Sequence, residues 1–254
     1  MSKQARCVSA TGIYHVMLRG VNKQLIFEEP TDYEQLLSYL AETKEYIRYK
    51  LLAYCLMGNH IHLLVKEDGA SVSQVVQRLA SRYATWFNRK YDRCGPLFQG
   101  RFRSEAIESD SYFITVLIYI YQNPVRAGLC ACSTDYRWSS REFLGGGDGI
   151  VDEGCLFELA PMEMIKDKES TEISEQPIEI ASNDRRHISD EQVISRLKIV
   201  SGSQNIADFQ KLEQALQASA LNELHRQGAS FRQLARISGL GKSLVERRCR
   251  YVYR

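Results

Sequence analysis

The motif His60-Ile61-His62 carries the clearest candidates for chemistry in this chain of 254 residues. A Gly-Asn dipeptide, favoured in tight turns, precedes it, and the apolar residues around it predict a strand over His60–Lys66. Residues i and i+2 of a strand point to the same face, so the two imidazoles are predicted to lie side by side and could hold one divalent metal ion. The alternative is a chance pair of sheet histidines that bind no metal.

A second set of reactive side chains stands just before Pro124. Tyr119 and Asn123 are four residues apart and would share a helix face, whereas Tyr121 would point away by roughly 200°. The helix itself is predicted over Asp110–Gln122. A phenol beside a metal ion can act as a nucleophile, because the cation lowers the cost of forming the phenolate. Both residues also have a structural interpretation, since most tyrosines are packing residues and Asn before Pro commonly ends a helix.

Basic side chains interleaved with aromatic ones form a third set. Single-stranded DNA suits such a surface, because bases stack on rings and phosphates pair with guanidinium groups. For a helical position such as Arg82, a solvated helix face is an equal alternative. The DNA contacts predicted in the first half of the chain are Arg19, Lys23, Arg82, Arg101 and Arg103.

The elements that must position these residues predict an α+β fold. Hydrophobic periodicity gives the order β-α-β-β-α-β-α, which favours a ferredoxin-like antiparallel sheet with helices on one face. The predicted strands are Ile13–Arg19, Leu51–Met57, His60–Lys66 and one within Arg101–Ile107, and the predicted helices are Thr31–Tyr49, Ser71–Lys90 and Asp110–Gln122.

The distribution of charge divides the chain into three parts. The whole chain has a net charge of +2, with 44% hydrophobic and 25% charged residues, which are globular values. Residues 1–145 carry 18 basic and 14 acidic side chains, residues 146–184 carry 2 and 11, and residues 185–254 carry 13 and 6. We therefore predict a first domain over 1–145, an acidic linker over 146–185 and a second domain over 186–254. The first part of the linker is apolar enough to dock on the first domain.

The second domain is predicted to be helical throughout. Its last two helices are separated by a short glycine-containing turn, which is the helix-turn-helix pattern of DNA-binding proteins. Lys242, Arg247 and Arg248 lie on the second of these helices and are predicted DNA contacts, although cations at a helix end can also act as caps. The predicted helices are Ser189–Val200, Ile206–Gln217, Ala218–Gln227, Phe231–Ile237 and Lys242–Arg250.

Several blocks, in this order, resemble the single-tyrosine HUH transposases, and most closely the REP-associated tyrosine transposases of bacteria. The resemblance spans about residues 10–145, in the blocks YHV at 14–16, RGVNK at 19–23, GNHIHLLV at 58–65, LFQGRF at 97–102 and YIYQNPVRAGL at 119–129. It implies that His60 and His62 bind Mg²⁺ or Mn²⁺ and that Tyr119 is the nucleophile. The third ligand of the family lies four residues beyond the tyrosine, at Asn123.

The resemblance implies metal-dependent cleavage and rejoining of single-stranded DNA at hairpin or palindromic repeats, through a covalent 5′-phosphotyrosine intermediate. The leading alternative is a domesticated, inactive DNA-binding regulator or architectural protein. A zinc-regulated transcription factor ranks last, because the seven cysteines are badly spaced for zinc. Without a predicted membrane span or signal peptide, a cytoplasmic, nucleoid-associated protein is expected, as a monomer or homodimer.

Overall fold

An antiparallel sheet of four strands forms the centre of the first part of the chain. The computed structural model describes residues 8–147, 149–169 and 190–250. The strands lie in the order β2-β3-β1-β4, and all neighbours are antiparallel. This confirms the predicted α+β class with an antiparallel sheet. The elements are β1 (Ile13–Arg19), α1 (Pro30–Tyr46), β2 (Tyr49–Met57), β3 (His60–Glu67), α2 (Val72–Lys90), β4 (Arg103–Ala106) and α3 (Asp110–Arg126).

Helices cover both faces of the sheet, so the prediction of helices on one face was wrong. Helices α1 and α2 pack on the face that presents Val16, Ile61 and Leu63. Helix α3 packs on the opposite face, against residues such as Leu52 and Leu64. The physical reason lies in β2, whose side chains are buried on both sides, so that each face needs a covering layer.

The hairpin between β2 and β3 turns at Gly58 and Asn59 as predicted, but tolerance of a positive φ is not what selects these residues. Neither residue has a positive φ, which is the property that favours this dipeptide in hairpins. Space is the constraint instead, because a Cβ at Gly58 would lie 3.3 Å from the Leu25 side chain. The carbonyls of the turn accept hydrogen bonds from Gly20 and Ile26, each at 2.9 Å. The segment after β1 therefore fixes the position of the turn.

Helix α3 continues through Pro124, although the sequence predicts that it stops before this residue. Ser109 caps its first turn by accepting a hydrogen bond from the Tyr112 backbone N–H. Proline lacks an N–H and removes one bond of the helical ladder, yet the helix persists to Arg126. Because Pro124 is buried and the helix has its longest buried stretch just before it, packing outweighs this local penalty. Asn123 consequently remains helical.

Two short helices follow, α4 (Glu153–Leu159) and α5 (Met162–Glu169). They bury Leu156 and Ile165 in the cluster formed by α3 and the sheet. An ion pair between Arg141 and Glu169, at 2.8 Å, holds the end of α5. Much of the predicted acidic linker, at 148 and 170–185, lies outside the described residues, as do the first residues of the predicted second domain, 186–189.

The last part of the chain is helical, as predicted, and has its own apolar cluster. The sequence predicts Ile206–Gln217 as one helix, but two helices form with a break at Leu212 and Glu213. The buried Gln217 amide donates hydrogen bonds to three carbonyls at the end of the first of them, which terminates it. The helices are α6 (Asp190–Ser201), α7 (Ile206–Lys211), α8 (Gln214–Arg226), α9 (Phe231–Ser238) and α10 (Lys242–Arg250).

This helical region packs directly on the first part of the chain. Leu25, in the segment after β1, is buried in its apolar cluster. The Ile206 backbone N–H donates to the Glu28 carboxylate at 2.7 Å, and Lys211 pairs with Asp92 at 2.8 Å. Among the described helices, none combines the length and the hydropathy needed to span a bilayer.

Candidate active site

A cavity of about 660 Å³ opens where β1 ends and β3 begins. Helix α3 forms one of its walls, and α6 and α9 form the wall opposite. A concave site with a few convergent polar groups is the usual place for binding or catalysis. Five residues predicted from the sequence line it together: Arg19, His60, His62, Tyr119 and Asn123.

The two histidines of β3 face α3, as the strand alternation predicts, and Ile61 faces the opposite cluster. The Nδ1 atom of His60 lies 2.7 Å from Asn59 Oδ1, so the ring donates there and its Nε2 is left for another partner. The Asn59 amide also donates to the Lys23 carbonyl at 3.3 Å. Asn59 thus ties the His60 ring to the turn and to the segment after β1.

Tyr119 and Tyr121 lie in different environments, as the helical phase predicts. The Tyr119 ring lines the cavity, with its centroid 5.8 Å from that of His62 in an edge-on arrangement. The Arg126 guanidinium lies 5.3 Å from the Tyr119 ring centroid and supplies a nearby positive charge. Tyr121 is fully buried in the cluster on the sheet side and does not line the cavity. Of these two tyrosines, only Tyr119 is therefore positioned to meet a ligand in the cavity.

Asn123 completes a set of donors that fits a divalent metal ion. Its Nδ2 lies 3.3 Å from His62 Nε2, and its side chain also hydrogen-bonds His60. Two neutral imidazoles and an amide oxygen, presented after rotation of the Asn123 amide, are suitable ligands for Mg²⁺ or Mn²⁺. Within the described ranges no group of three or more His, Cys, Asp and Glu side chains converges on a possible metal site.

The histidine pair is held in the neutral form. Burial, and then the charge of Arg19, lower the pKa of His60 to about 4. Burial, followed by the neighbouring His60 and His15, lowers the pKa of His62 well below its usual value. A histidine must be neutral to bind a metal ion, so both rings are ready to do so at neutral pH.

Four basic and four acidic side chains line the cavity, and Arg19 is a basic residue close to the histidines. Burial, then Arg236 and Arg103, lower the pKa of Arg19 to about 10, which leaves it charged at neutral pH. Among the described residues, the buried Nε of Arg19 has no hydrogen-bond partner. Like charges that are brought together in this way repel each other, and a bound anion such as a phosphate would relieve the repulsion.

A shallow groove of about 150 Å³ continues from Arg19 along the loop before β4. It is lined by the predicted DNA contacts Arg101 and Arg103 and by the rings of Phe98 and Phe102. Cationic and aromatic side chains therefore lie next to each other, as they do where single-stranded nucleic acid binds.

Arg82 lies apart from both the cavity and the groove. It pairs with Glu42 at 2.5 Å and stacks on Tyr39 at 4.3 Å, so α2 uses it to hold α1. Lys23 sits in the turn after β1 with a positive φ of 62°. Neither residue lines the cavity.

The predicted contacts on α10 form a separate basic surface. Lys242 and Arg247 are exposed, and Lys242 lies 3.3 Å from Glu246. Arg248 is half-buried, and burial together with Arg247 lowers its pKa. None of the three lines the cavity.

Two residues at the site were missed in the sequence, one behind the cavity wall and one in it. His15 on β1 contacts His62, and its signal was a polar residue at an inward position of an otherwise apolar strand. Arg236 on α9 reaches the cavity and forms an ion pair with Asp190 at the start of α6. No local pattern in the sequence indicates Arg236, because its role depends on how α9 packs against the first part of the chain.

Comparison with known proteins finds similarity to transposases. Residues 9–123 match a family model described as IS200-like transposase. A protein of Haemophilus influenzae, assigned by name to the REP-associated tyrosine transposases, is 28% identical over 156 residues, which cover 55% of this chain and 85% of the relative. A solved REP-associated tyrosine transposase bound to a REP hairpin is 19% identical, with 60% of this chain and 90% of that chain covered and a TM-score of 0.49. Residues 9–123 are thus similar to the IS200-like transposase family, and the chain is distantly similar to the Haemophilus protein.

Proposed function

We propose that this protein cleaves and rejoins single-stranded DNA at hairpin or palindromic repeats, through a covalent bond between Tyr119 and a 5′-phosphate. The observation that carries the proposal is the shared cavity of Tyr119, His60, His62 and Asn123, with the cationic Arg19 beside them. IS200-like transposases are tyrosine-dependent nucleases that generally use a divalent metal ion, which is consistent with these residue types.

Tyr119 performs the bond exchange in this proposal. Its phenol oxygen attacks the phosphorus of a phosphodiester and loses its proton, while the bond from phosphorus to the 3′-oxygen breaks and that oxygen takes up a proton. The reverse step, with another 3′-hydroxyl, rejoins the strand without an external energy source. Mg²⁺ or Mn²⁺, held by His60, His62 and Asn123, would neutralise charge on the non-bridging oxygens.

The surfaces around the cavity bind the DNA. Arg19 receives the phosphate next to the scissile bond, and the groove with Arg101 and Arg103 takes the adjoining strand, whose bases stack on the nearby rings. Lys23 and Arg82 were also predicted as contacts. Arg82 is less suited to this role, because its charge is already paired with Glu42.

The division into three parts extends the proposal to the whole chain. We assign residues 1–145 to a ferredoxin-like catalytic domain, from their β-α-β-β-α-β order, and 146–185 to an acidic linker. Residues 186–254 bind duplex or hairpin DNA through a helix-turn-helix, with Lys242, Arg247 and Arg248 on its second helix. Three residues separate α9 from α10, and Gly239 among them has a left-handed φ of 68°. Because the proposed substrate of the protein is DNA, we also propose a cytoplasmic, nucleoid-associated location.

The test of this proposal is formation of a covalent adduct. The wild type is incubated with Mn²⁺ and labelled hairpin oligonucleotides taken from repeats that flank its gene, and adducts are separated on a denaturing gel. We expect the wild type to form an adduct and Tyr119→Phe to form none, because the phenyl ring has no nucleophile. Tyr121→Phe is the matched control and should retain the adduct, since its ring lies outside the cavity.

Each result has a defined meaning. If Tyr121→Phe loses the adduct and Tyr119→Phe keeps it, the assignment of the nucleophile is wrong. If the wild type binds the hairpin but forms no adduct with any of the repeats, the protein is a DNA-binding regulator and the catalytic proposal fails.

A further inference from the structure

His15 is a third histidine at the candidate active site, and the proposed function leaves it without a role. It lies on β1 with 1% of its surface exposed, on the face of the sheet that α3 covers. Its Nε2 is 2.9 Å from His62 Nδ1, and the two rings lie edge to edge, with an angle of 19° between their planes and centroids 5.1 Å apart, which suits an N–H···N hydrogen bond. His15 therefore contacts the side of His62 that faces away from Asn123.

The other ring nitrogen of His15 points towards a carboxylate. His15 Nδ1 makes no hydrogen bond within the described structure, and Glu105 Oε2 lies 3.7 Å from it. His15 and Glu105 are directly paired in the β1–β4 register, so the backbone holds them opposite each other. The Tyr112 hydroxyl of α3 donates to Glu105 Oε1 at 2.6 Å and fixes the carboxylate from the other side.

The position of one hydrogen atom decides whether His62 can bind a metal ion. A neutral imidazole carries its hydrogen on one nitrogen and offers a lone pair on the other. The Nε2 of His62 faces Asn123, so it has a lone pair for the cavity only when the hydrogen is on Nδ1. That hydrogen must then be donated to His15 Nε2. His15 can accept it only when its own hydrogen is on Nδ1, which faces Glu105.

The two candidate ligands are thus supported differently. His60 donates its Nδ1 hydrogen to Asn59 Oδ1, an oxygen that can only accept. His62 has no such oxygen in contact with Nδ1, and its partner His15 can either donate or accept. The Asn123 Nδ2 favours the same direction by donating to His62 Nε2, but this contact is lost when the amide rotates to present its oxygen to a metal ion. An additional acceptor behind His15 is then needed to keep the direction unique, and Glu105 is placed to provide it.

We propose that His15, oriented by Glu105, is a positioning residue that keeps the His62 hydrogen on Nδ1 and so directs the Nε2 lone pair into the cavity. This rests on the proposed function only in taking His62 as a metal ligand. Partners behind a ligating histidine commonly change metal affinity by about 10–100-fold when they are mutated. A residue that served packing alone would be replaceable there by any ring of similar size.

The first test determines which ring nitrogen of His62 carries the hydrogen, and it needs neither metal nor DNA. In the full chain with ¹⁵N-labelled histidine, long-range ¹H–¹⁵N spectra distinguish a protonated from an unprotonated ring nitrogen. We expect wild-type His62 to carry its hydrogen on Nδ1, and His15→Phe to lose this preference, because a phenyl ring accepts no such hydrogen bond. A wild-type His62 with its hydrogen on Nε2 would overturn the proposal.

The second test measures the affinity for Mn²⁺ alone by calorimetry. His15→Phe should bind Mn²⁺ about 10–100-fold more weakly than the wild type, and His15→Gln, whose amide oxygen can accept from Nδ1, should recover most of the loss. Met17→Leu is the control, since Met17 is buried on the same face of β1 and is paired with His62 in the register. It should change affinity less than about 3-fold.

The outcomes separate this inference from the proposed function. Equal Mn²⁺ affinity in the wild type and in folded His15→Phe overturns the role of His15 and leaves His62 as a ligand. An equal loss in Met17→Leu also overturns it, because packing alone would then explain the effect. If the wild type binds no Mn²⁺, the proposed metal site fails, whereas the Nδ1 hydrogen in the metal-free spectra still supports the positioning of His62 by His15. If His15→Phe does not fold, Glu105→Leu replaces it in both measurements with the same expected losses.

Discussion

The two faces of the central sheet use alternate residues of the same strands for different purposes. Towards α1 and α2, the strands present aliphatic side chains such as Val16, Ile61 and Leu63, all fully buried. Towards α3, the same strands present His15 and His62 near the cavity. The difference is set by single-residue alternation, because neighbours along a strand point to opposite sides.

This division explains how the fold tolerates a polar cluster beneath a helix. Each buried aliphatic side chain on the first face contributes about 1.5–3 kcal/mol relative to exposure. A buried imidazole without a partner is costly, and those on the second face are stable because they hydrogen-bond one another, Asn59 and Asn123. Apolar clusters on both faces therefore supply stability, and the α3 face in addition carries polar residues near the cavity that are available for chemistry.

The largest expected effect is on the rate of adduct formation, from substitution of a single residue on the face of the sheet that α3 covers. His62→Ala removes a proposed metal ligand, and we expect the rate of adduct formation to fall on the order of 10³-fold, since a metal ion supplies several kcal/mol to such a step. The rate is measured on the denaturing-gel assay with saturating Mn²⁺.

The matched control for His62→Ala is the next residue along β3, Leu63, which faces α1 and α2. Leu63→Ala should lower the free energy of unfolding by about 2–5 kcal/mol, measured by urea denaturation, because it leaves a cavity among fully buried residues. At a temperature where the variant is folded, its adduct rate should stay within a few-fold of the wild type. A loss of catalysis as large as that of His62→Ala would show that the two faces are not independent.

A smaller effect is expected where the sheet domain meets the C-terminal helices. Burial raises the pKa of Glu28 to about 7, from an ordinary value near 4.5, although the Ile206 N–H opposes this shift. A raised folded-state pKa means that the folded protein binds more protons than the unfolded chain between these values. Stability should thus decrease as pH rises from about 4.5 to 7 and level off above. Glu28→Gln should flatten this dependence and gain on the order of 2 kcal/mol at pH 8 in urea titrations.

The smallest effect concerns binding rather than chemistry. Arg19→Gln should weaken binding of a single-stranded oligonucleotide by about 5–10-fold and reduce the salt dependence by the equivalent of one phosphate contact. Arg82→Gln, on the helix α2 that covers the face opposite α3, should change affinity less than 2-fold, because its charge already pairs with Glu42. Equal losses, measured by fluorescence anisotropy at two salt concentrations, would show that both arginines contact DNA.

Local patterns in the sequence were sufficient for the elements and for part of the site. Strand β1 has the predicted bounds, and the alternation of β3 correctly places Ile61 opposite the histidines. Helical spacing likewise separates Tyr119 from Tyr121. These inferences hold because they depend only on the periods of a strand and a helix.

Features that depend on distant contacts could not be predicted in this way. The helix through Pro124 persists because of the packing around it, against the local preference of proline. The break between α7 and α8 is imposed by a single amide, Gln217, through three hydrogen bonds across the bend. His15 and Arg236 join the site through strand pairing and docking of α9, which no spacing along the chain encodes.

The distribution of the site over β1, β3 and α3 has a consequence for synthesis of the protein on the ribosome. The histidines leave the ribosome early, whereas the tyrosine follows only after the whole of α2 and β4, and Arg236 comes near the end. Strand β1 must also pair with both β3 and β4 before the polar cluster closes. A chain whose translation stops before residue 119 would therefore carry the proposed metal ligands His60 and His62 without the proposed nucleophile Tyr119, and it could not perform the proposed cleavage.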